Sequence, residues 1–297
     1  MKNLPYMFLA MLMGWNAFAQ TPDENKSDEN KPNENESEEI ANMEVLEPDW
    51  FLGQNLPKVE RTVNISTAKT TRPGSILMII DHRTGKPFLD AGFQDYLGLD
   101  SGGLKIGLGL RYGIMDGVDA GFYRLNGTVE AFDTYEFDAR WQFMNQENVW
   151  FNAALRAGVS WFVQPGQDAV GAFGQLLLDR VFFDRLLLCA GLLIHSESSN
   201  DMKAITDDSW SMAAVISTEV RITSWFAIDL ETSMNLAGYT SKYPVFALGF
   251  KLLTYRHTFS LVLSNNQYMN ADGIVSNTWR GFGDMVLGFQ ITREFNL

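Results

Sequence analysis

The chain has 297 residues, of which 46% are hydrophobic and 13% aromatic, and this composition excludes a protein that is disordered throughout. The net charge of −13 lies mostly near the N-terminus, because residues 20–49 hold eleven acidic side chains against two lysines. Beyond the N-terminus, no stretch approaches the about 18 apolar residues that a membrane-spanning helix needs. No basic cluster indicates nucleic-acid binding, and the single cysteine, Cys189, excludes a disulfide framework.

The N-terminal residues have the pattern of a secretory signal. Lys2 precedes an apolar stretch, and Ala17-Phe18-Ala19 has small residues where a signal peptidase cuts, so we predict a signal peptide over residues 1–19. Residues 20–47 are acidic and nearly free of apolar side chains, which predicts a disordered acidic linker that is open to a periplasmic partner. Residues 48–74 are mixed, and the sequence leaves open a periplasmic segment, a partial lumen plug or an extra strand.

An alternation with a period of two is clearest in the segment 209–236. In its second half every second side chain is apolar or a threonine, and the side chains between them include Asp229 and Glu231. A tilted strand that crosses a bilayer needs about 9 to 11 residues, whereas strands of soluble proteins usually have about 5 to 6. Trp210 and Trp225 stand at the ends of the apolar face, where aromatic rings meet a membrane interface.

The same pattern predicts twelve strands from residue 75 onward. Short connections alternate with mostly longer ones, and bacterial outer-membrane barrels have short periplasmic turns, long outer loops and an even strand number. We therefore predict one closed antiparallel transmembrane β-barrel over residues 75–297, in the outer membrane, with both termini in the periplasm. The predicted strands are 75–81, 103–112, 118–125, 132–144, 149–162, 169–182, 185–196, 209–222, 225–236, 245–254, 257–264 and 284–295.

Two places in the pattern carry further expectations. Strands six and seven, around Leu176–Leu178 and Leu186–Leu188, are apolar on both faces, so a lumen plug or a partner could lie against them. The last strand is amphipathic and has Phe295 near the carboxyl end, which resembles the signal that the outer-membrane barrel assembly machinery reads. The expected partners are thus this machinery and outer-membrane lipid.

Three segments resemble a family of outer-membrane β-barrels of Gram-negative bacteria, a domain of unknown function. They are IIDHRTGK (Ile79 to Lys86), YLGLDSGGLKIGLGLRYGIMDGVDAGFYR (Tyr96 to Arg124), and HTFSLVLSNNQYM with GDMVLGFQITREF near the end. The resemblance covers residues 60–297 and departs from the family pattern at Thr84, where an aromatic is expected. Because the family has no established activity, the resemblance implies fold and location only.

Charged side chains are predicted on the inner face of the barrel. One interpretation is a water-filled pore whose opposed charges select polar solutes; the alternative is a narrow lumen that ion pairs seal. The predicted inward cations are Lys105, Arg111, Arg140, Arg156, Arg221 and Lys251, and the predicted inward anions are Asp119, Glu136, Asp138, Glu219, Asp229, Glu231, Asp284 and Glu294.

Catalytic, metal and cofactor signals are weak. His82, His195 and His257 each stand alone, without a nucleophile motif or a metal-ligand spacing, so we expect neither an enzyme nor a cofactor. His82-Arg83 marks either a binding site at the outer end of strand one or a hydrogen-bonded turn. Asp201, Asp207 and Asp208 could hold Ca²⁺, but their spacing is no EF-hand, and the favoured interpretation is a solvated outer loop.

The functional hypotheses come from two classes. The leading one is a porin-like channel for a small polar solute. The alternative is a non-conducting barrel that anchors a periplasmic or surface partner through the acidic linker or the loops.

Overall fold

The computed structural model describes residues 60–92, 94–95, 104–127, 133–164, 167–197, 210–254 and 256–296. The predicted signal peptide, the acidic linker and residues 48–59 lie outside this part of the chain, as do Asp201, Asp207 and Asp208.

Twelve strands of the described chain form one closed antiparallel barrel, in which each strand pairs with its neighbours in sequence and the first pairs with the last. The predicted fold class is confirmed. The strands are β1 Ser75–Arg83, β2 Lys105–Met115, β3 Val118–Leu125, β4 Asp133–Met144, β5 Asn152–Gln164, β6 Gln167–Phe182, β7 Leu186–Ser196, β8 Trp210–Arg221, β9 Phe226–Gly238, β10 Val245–Leu253, β11 His257–Ser264 and β12 Val286–Asn296.

The two faces of the barrel wall differ as the alternation predicts. On β2, Ile106, Leu108 and Leu110 point outward and are exposed, whereas Lys105 and Arg111 are buried on the inner face. A water-soluble sandwich would bury the apolar row in its core. Here the apolar row is outside and the charged row is enclosed, as in a barrel whose outer surface contacts lipid.

The two ends of the barrel have different connections, and we call them the turn end and the loop end. The turn end carries the short links, and at one of them Phe183 and Asp184 both have positive φ (53° and 58°), a conformation that tight hairpin turns favour. Both described ends of the barrel sequence, Ser75 and Asn296, pair with each other at this end. Exposed Trp150 and Trp225 also lie here, where interfacial rings are expected.

Two further elements lie between β11 and β12. They are a five-residue helix, α1 (Ala271–Val275), and a 3-10 helix at Phe282–Asp284. Asn270 caps α1 by accepting a hydrogen bond from Gly273 N–H at 3.2 Å. Among the described residues, no helix is long and apolar enough to cross a bilayer.

Candidate functional site

The segment before β1 folds back on itself as a hairpin. Thr67 N–H donates to the Glu60 carbonyl at 2.9 Å, and Thr62 N–H donates to the Ile65 carbonyl at 3.0 Å, which closes the turn at the tip. We call residues 60–71 the lumen hairpin.

The lumen hairpin lies inside the barrel. Because its partner strands lie on all sides of a closed ring, one short segment can reach them only from within. The sequence leaves the place of residues 48–74 open, and the structure places residues 60–71 of this segment in the lumen. The wall side chains that form hydrogen bonds with the hairpin include Asp81 of β1, Asp119 of β3, Arg140 of β4, Asp179 of β6, Glu231 of β9 and Gln290 of β12.

Glu231 holds the tip of the hairpin. Its Oε2 accepts hydrogen bonds from the N–H groups of Val63, Asn64 and Ile65 at 3.2, 2.8 and 3.1 Å. The Thr62 hydroxyl donates to the same oxygen at 3.1 Å, and the Asn64 side-chain amide donates to Oε1 at 2.6 Å. Successive backbone N–H groups in a turn form a concave anion site, so the turn receives the carboxylate as an anion ligand.

Arg140 and Asp119 hold the base of the hairpin. Arg140 Nη1 donates to the carbonyls of Glu60 and Thr67 at 3.1 and 3.0 Å. Arg140 Nη2 also pairs with Asp119 at 2.5 Å. Asp119 in turn accepts a hydrogen bond from Thr71 N–H at 2.8 Å. The wall therefore offers an acceptor for the Thr71 N–H and a donor for the carbonyls of Glu60 and Thr67.

Two further wall side chains bind the hairpin backbone. Asp179 accepts a hydrogen bond from Ala68 N–H, and Gln290 Nε2 donates to the Val63 carbonyl at 2.7 Å. The first bond involves a charged group and the second does not, and bonds to charged groups are about twice as strong as neutral ones.

An ion pair anchors the hairpin to β1. Arg61 pairs with Asp81, which also accepts a hydrogen bond from the Tyr123 hydroxyl at 2.7 Å. Burial alone would lower the pKa of Arg61, but Asp81, Tyr123 and Glu231 together outweigh this effect, and the pKa is raised above its ordinary value. Arg83 Nη2 donates to the Asn64 side-chain oxygen at 3.3 Å.

The loop after β11 also enters the barrel, from the loop end. We call residues 265–278 the inward loop. In it, Ala271 N–H donates to Glu136 Oε1 at 2.9 Å, and the Ser233 hydroxyl donates to the Ile274 carbonyl at 2.7 Å. The sequence predicts this segment as an outer loop, and it instead fills the lumen.

The hairpin and the inward loop meet in one apolar cluster. Leu177 of β6 and Leu193 of β7 belong to it and point inward. The inner faces of β6 and β7 therefore pack against segments inside the barrel, which explains why both faces of these strands are apolar. The cluster contains Ile65, Ala68, Ala154, Phe173, Leu177, Cys189, Leu193, Ala213, Val215, Ala271, Ile274 and Val275.

Most of the predicted lumen-lining side chains are buried in the structure. Arg156 is slightly more accessible, at 11% exposure. The buried ones are Lys105, Arg111, Asp119, Glu136, Asp138, Arg140, Glu219, Arg221, Asp229, Glu231 and Lys251.

The structure brings many of these charges together in two networks. In the first, on β2 to β5, Arg111 pairs with Asp119 at 2.6 Å and with Asp138 at 2.9 Å, and Arg156 pairs with Asp138 at 2.9 Å. The second network lies on β8 to β10. It consists of Lys251 with Glu219 at 2.6 Å, Lys251 with Asp229 at 2.8 Å, and Arg221 with Glu219 at 3.3 Å.

Asp284 does not join either network. It is exposed in the 3-10 helix before β12, because the strand begins at Val286, two residues later than predicted. Its predicted place on the inner face is therefore corrected. Glu294 lies on β12 and is half-buried.

His82 and Arg83 point to opposite faces of β1. His82 is half-buried and stacks on the outward Phe289 ring with a centroid distance of 4.6 Å. Arg83 is fully buried and contacts the hairpin tip through Asn64. The pair therefore does not form one site, because neighbours on a strand alternate in direction.

His195 is buried on the inner face of β7. Its Nε2 lies 2.9 Å from the Ser160 hydroxyl, and Ser160 also hydrogen bonds to Glu136 at 3.2 Å. In a catalytic triad the carboxylate contacts the histidine, whereas here it contacts the serine. Among the described residues, no three His, Cys, Asp or Glu side chains are grouped as a metal site requires.

Two small cavities flank the hairpin. One, between the hairpin and β10 to β12, offers about 20 Å³ to the centres of water molecules. The other, between the hairpin, the inward loop and β2 to β5, offers about 50 Å³. About 10 to 15 Å³ of such space holds one water, so each cavity admits a few waters and no larger solute.

Sequence reasoning missed Asp81, Asp179 and Gln290 as hairpin ligands. Asp81 and Asp179 each follow a run of apolar residues, which for Asp179 is three leucines. A lone acid in such a strand is a signal for an enclosed partner, because an unpaired buried charge is costly.

One protein family, described as a membrane bound beta barrel domain (DUF5777), matches residues 58–295. The chain belongs to this family. The resemblance seen in the sequence is confirmed, and the protein is a closed, membrane-bound β-barrel. A comparison with curated proteins gives no match.

Several solved structures are similar to the chain at low identity. The COG4313 outer membrane channel from Pseudomonas putida F1 is 11% identical with a TM-score of 0.46, and the match covers 77% of this chain and 98% of that one. The NanC porin is 12% identical with a TM-score of 0.42, covering 75% and 100%. The Acinetobacter baumannii outer membrane protein Omp33 is 6% identical with a TM-score of 0.41, covering 76% and 100%.

Proposed function

We propose that the protein is an outer-membrane channel that its own hairpin closes, with both chain ends in the periplasm. It passes small polar solutes when the lumen hairpin leaves the barrel. Barrels of eight strands are filled by side chains and those of about 16 to 18 leave an aqueous channel, so twelve strands enclose enough space for a removable segment.

The observation that carries this proposal is the nature of the hairpin's contacts. Glu231, Arg140, Asp119 and Asp179 bind the hairpin through hydrogen bonds to its backbone. Water can replace such bonds, and the same charged side chains would then line an open polar path. A purely apolar interface would leave a dry surface after displacement, which water does not wet readily.

Conductance across planar lipid bilayers tests the proposal. We expect the full chain to be closed most of the time, and a variant without residues 60–71 to give steady discrete steps. The control deletes residues 20–47, keeps the hairpin and should behave as the full chain does. A hairpin-deleted barrel that folds and stays silent contradicts the channel.

A second candidate is a non-conducting anchor, and the small size of the two cavities favours it. In that case, deletion of residues 20–47 removes the binding of a periplasmic partner in pull-down experiments, and removal of the hairpin gives no current.

A further inference from the structure

The wall of the lumen recognises the backbone of the hairpin more than its side chains. Wall carboxylates accept hydrogen bonds from five hairpin N–H groups, and wall donors reach four hairpin carbonyls. The N–H groups are those of Val63, Asn64, Ile65, Ala68 and Thr71, and the carbonyls are those of Glu60, Val63, Ser66 and Thr67.

The wall provides acceptors for N–H groups as well as donors for carbonyls, and a peptide backbone requires both. Glu231 meets a run of N–H groups, and Arg140 meets carbonyls on both arms of the hairpin. A sugar without amide groups, or a free anion, does not offer both N–H and carbonyl groups. The chemical class that fits the wall is therefore a peptide.

The side-chain pockets around the hairpin are small and apolar. Val63 packs with Ala247 and Val262, and Gly249 leaves the room it needs, since a Cβ at that glycine would lie 3.1 Å from Val63 Cγ2. Ile65 enters the larger cluster. These pockets admit small and β-branched side chains, and they exclude bulky ones because close-packed interiors do not take extra volume cheaply.

We propose that the lumen is a binding site for short peptides and that the hairpin is a tethered occupant of this site. The inference rests on the proposed channel and names its substrate class: a peptide of about the hairpin's length that forms a turn, has small or β-branched side chains and carries a cationic residue opposite Asp81. A free peptide and the hairpin exclude each other, because the flanking cavities hold only a few waters.

Equilibrium binding in detergent tests this site without any measurement of current. The probe is a fluorescein-labelled peptide of sequence ERTVNISTAKTT, residues 60–71, added to the barrel that lacks these residues. We expect saturable binding, and at least tenfold weaker binding when the amides of Asn64 and Ile65 in the peptide are N-methylated. Glu231→Ala in the barrel should weaken binding of the unmodified peptide and abolish the difference in affinity between the two peptides.

Glu219→Gln is the control, because Glu219 accepts its hydrogen bonds from Lys251 and Arg221; it should change peptide affinity less than twofold. Equal binding of the N-methylated peptide overturns the proposal, and so does equal displacement by a neutral oligosaccharide of similar size. A barrel that binds the peptide but carries no current contradicts only the channel. Current without peptide binding contradicts only the peptide site.

If the shortened barrel does not fold, the full chain provides the test. Millimolar unmodified peptide should compete with the hairpin and speed hydrogen exchange of the hairpin amides, whereas the N-methylated peptide should have no effect. An unchanged exchange rate with both peptides overturns the proposal.

Discussion

The lumen hairpin and the inward loop enter the barrel from opposite ends and are held by different forces. Charged wall side chains bind the hairpin at its tip, at its base and at its ion pair with β1. The inward loop relies more on apolar packing, with Met269, Ile274 and Val275 in two clusters, and on neutral hydrogen bonds such as Ser233 to the Ile274 carbonyl. Charged wall side chains also contact this loop, since Glu136 accepts a hydrogen bond from Ala271 N–H and Lys105 lies over the Tyr268 ring.

This difference indicates which segment can move. Withdrawal of the hairpin exchanges many hydrogen bonds with the wall for hydrogen bonds with water, at a net cost of about 0.5 to 3 kcal/mol each, and it also exposes the apolar side chains of Val63, Ile65 and Ala68. Withdrawal of the inward loop exposes apolar surface, which costs about 25 cal/mol for each Å² and has no compensating partner in water. If the proposed channel opens, we therefore expect the hairpin to leave the barrel and the inward loop to stay.

The largest expected effect concerns the inward loop. Ile274→Asp places a charge without a partner in the apolar cluster, so we expect the free energy of unfolding of the whole barrel to fall by about 3 to 5 kcal/mol or more. Urea titration followed by tryptophan fluorescence measures it. Ile274→Val, the control, should cost about 0.5 to 1.5 kcal/mol. A loss of less than about 1 kcal/mol for Ile274→Asp would show that the loop is not part of the core.

The second effect concerns the hairpin alone. Glu231→Ala leaves the tip N–H groups without an acceptor, so we expect the hairpin to dock about 3 kcal/mol less tightly, and about a hundredfold faster hydrogen exchange of the amides of residues 62–65. The exchange rates of the β9 amides should not change, and Glu219→Gln should leave the exchange rates of the hairpin amides unchanged. If hairpin and strand amides accelerate together, the two are one cooperative unit and the contrast with the inward loop fails.

The sequence predicts the barrel well because each strand records its environment locally. Alternation on β2, β4, β8 and β9 distinguishes lipid-facing from enclosed side chains without knowledge of any distant contact. The start of β12 is less certain from sequence, since Asp284 continues the alternation and only the 3-10 helix at Phe282–Asp284 excludes it from the strand.

The occupied lumen is harder to predict, because it depends on pairs that are distant in sequence. Glu231 and Asn64 are 167 residues apart, and Gln290 and Val63 are 227 apart. Hydrophobic periodicity cannot report which segment a buried charge meets. The apolar residues on both faces of β6 and β7 indicate that a further segment lies inside the barrel, and the structure shows the lumen hairpin and the inward loop there.

The smallest expected effect separates charged from neutral contacts within the hairpin. Gln290→Leu removes one neutral hydrogen bond, from Nε2 to the Val63 carbonyl at 2.7 Å, and neutral bonds contribute about 1 kcal/mol. We expect about fivefold faster exchange of the hairpin amides, well below the effect of Glu231→Ala. If the two variants have equal effects, the charge on Glu231 stabilises the docked hairpin no more than a neutral hydrogen bond does. The hairpin would then be held by shape and burial, as the inward loop is, and its displacement would be no easier.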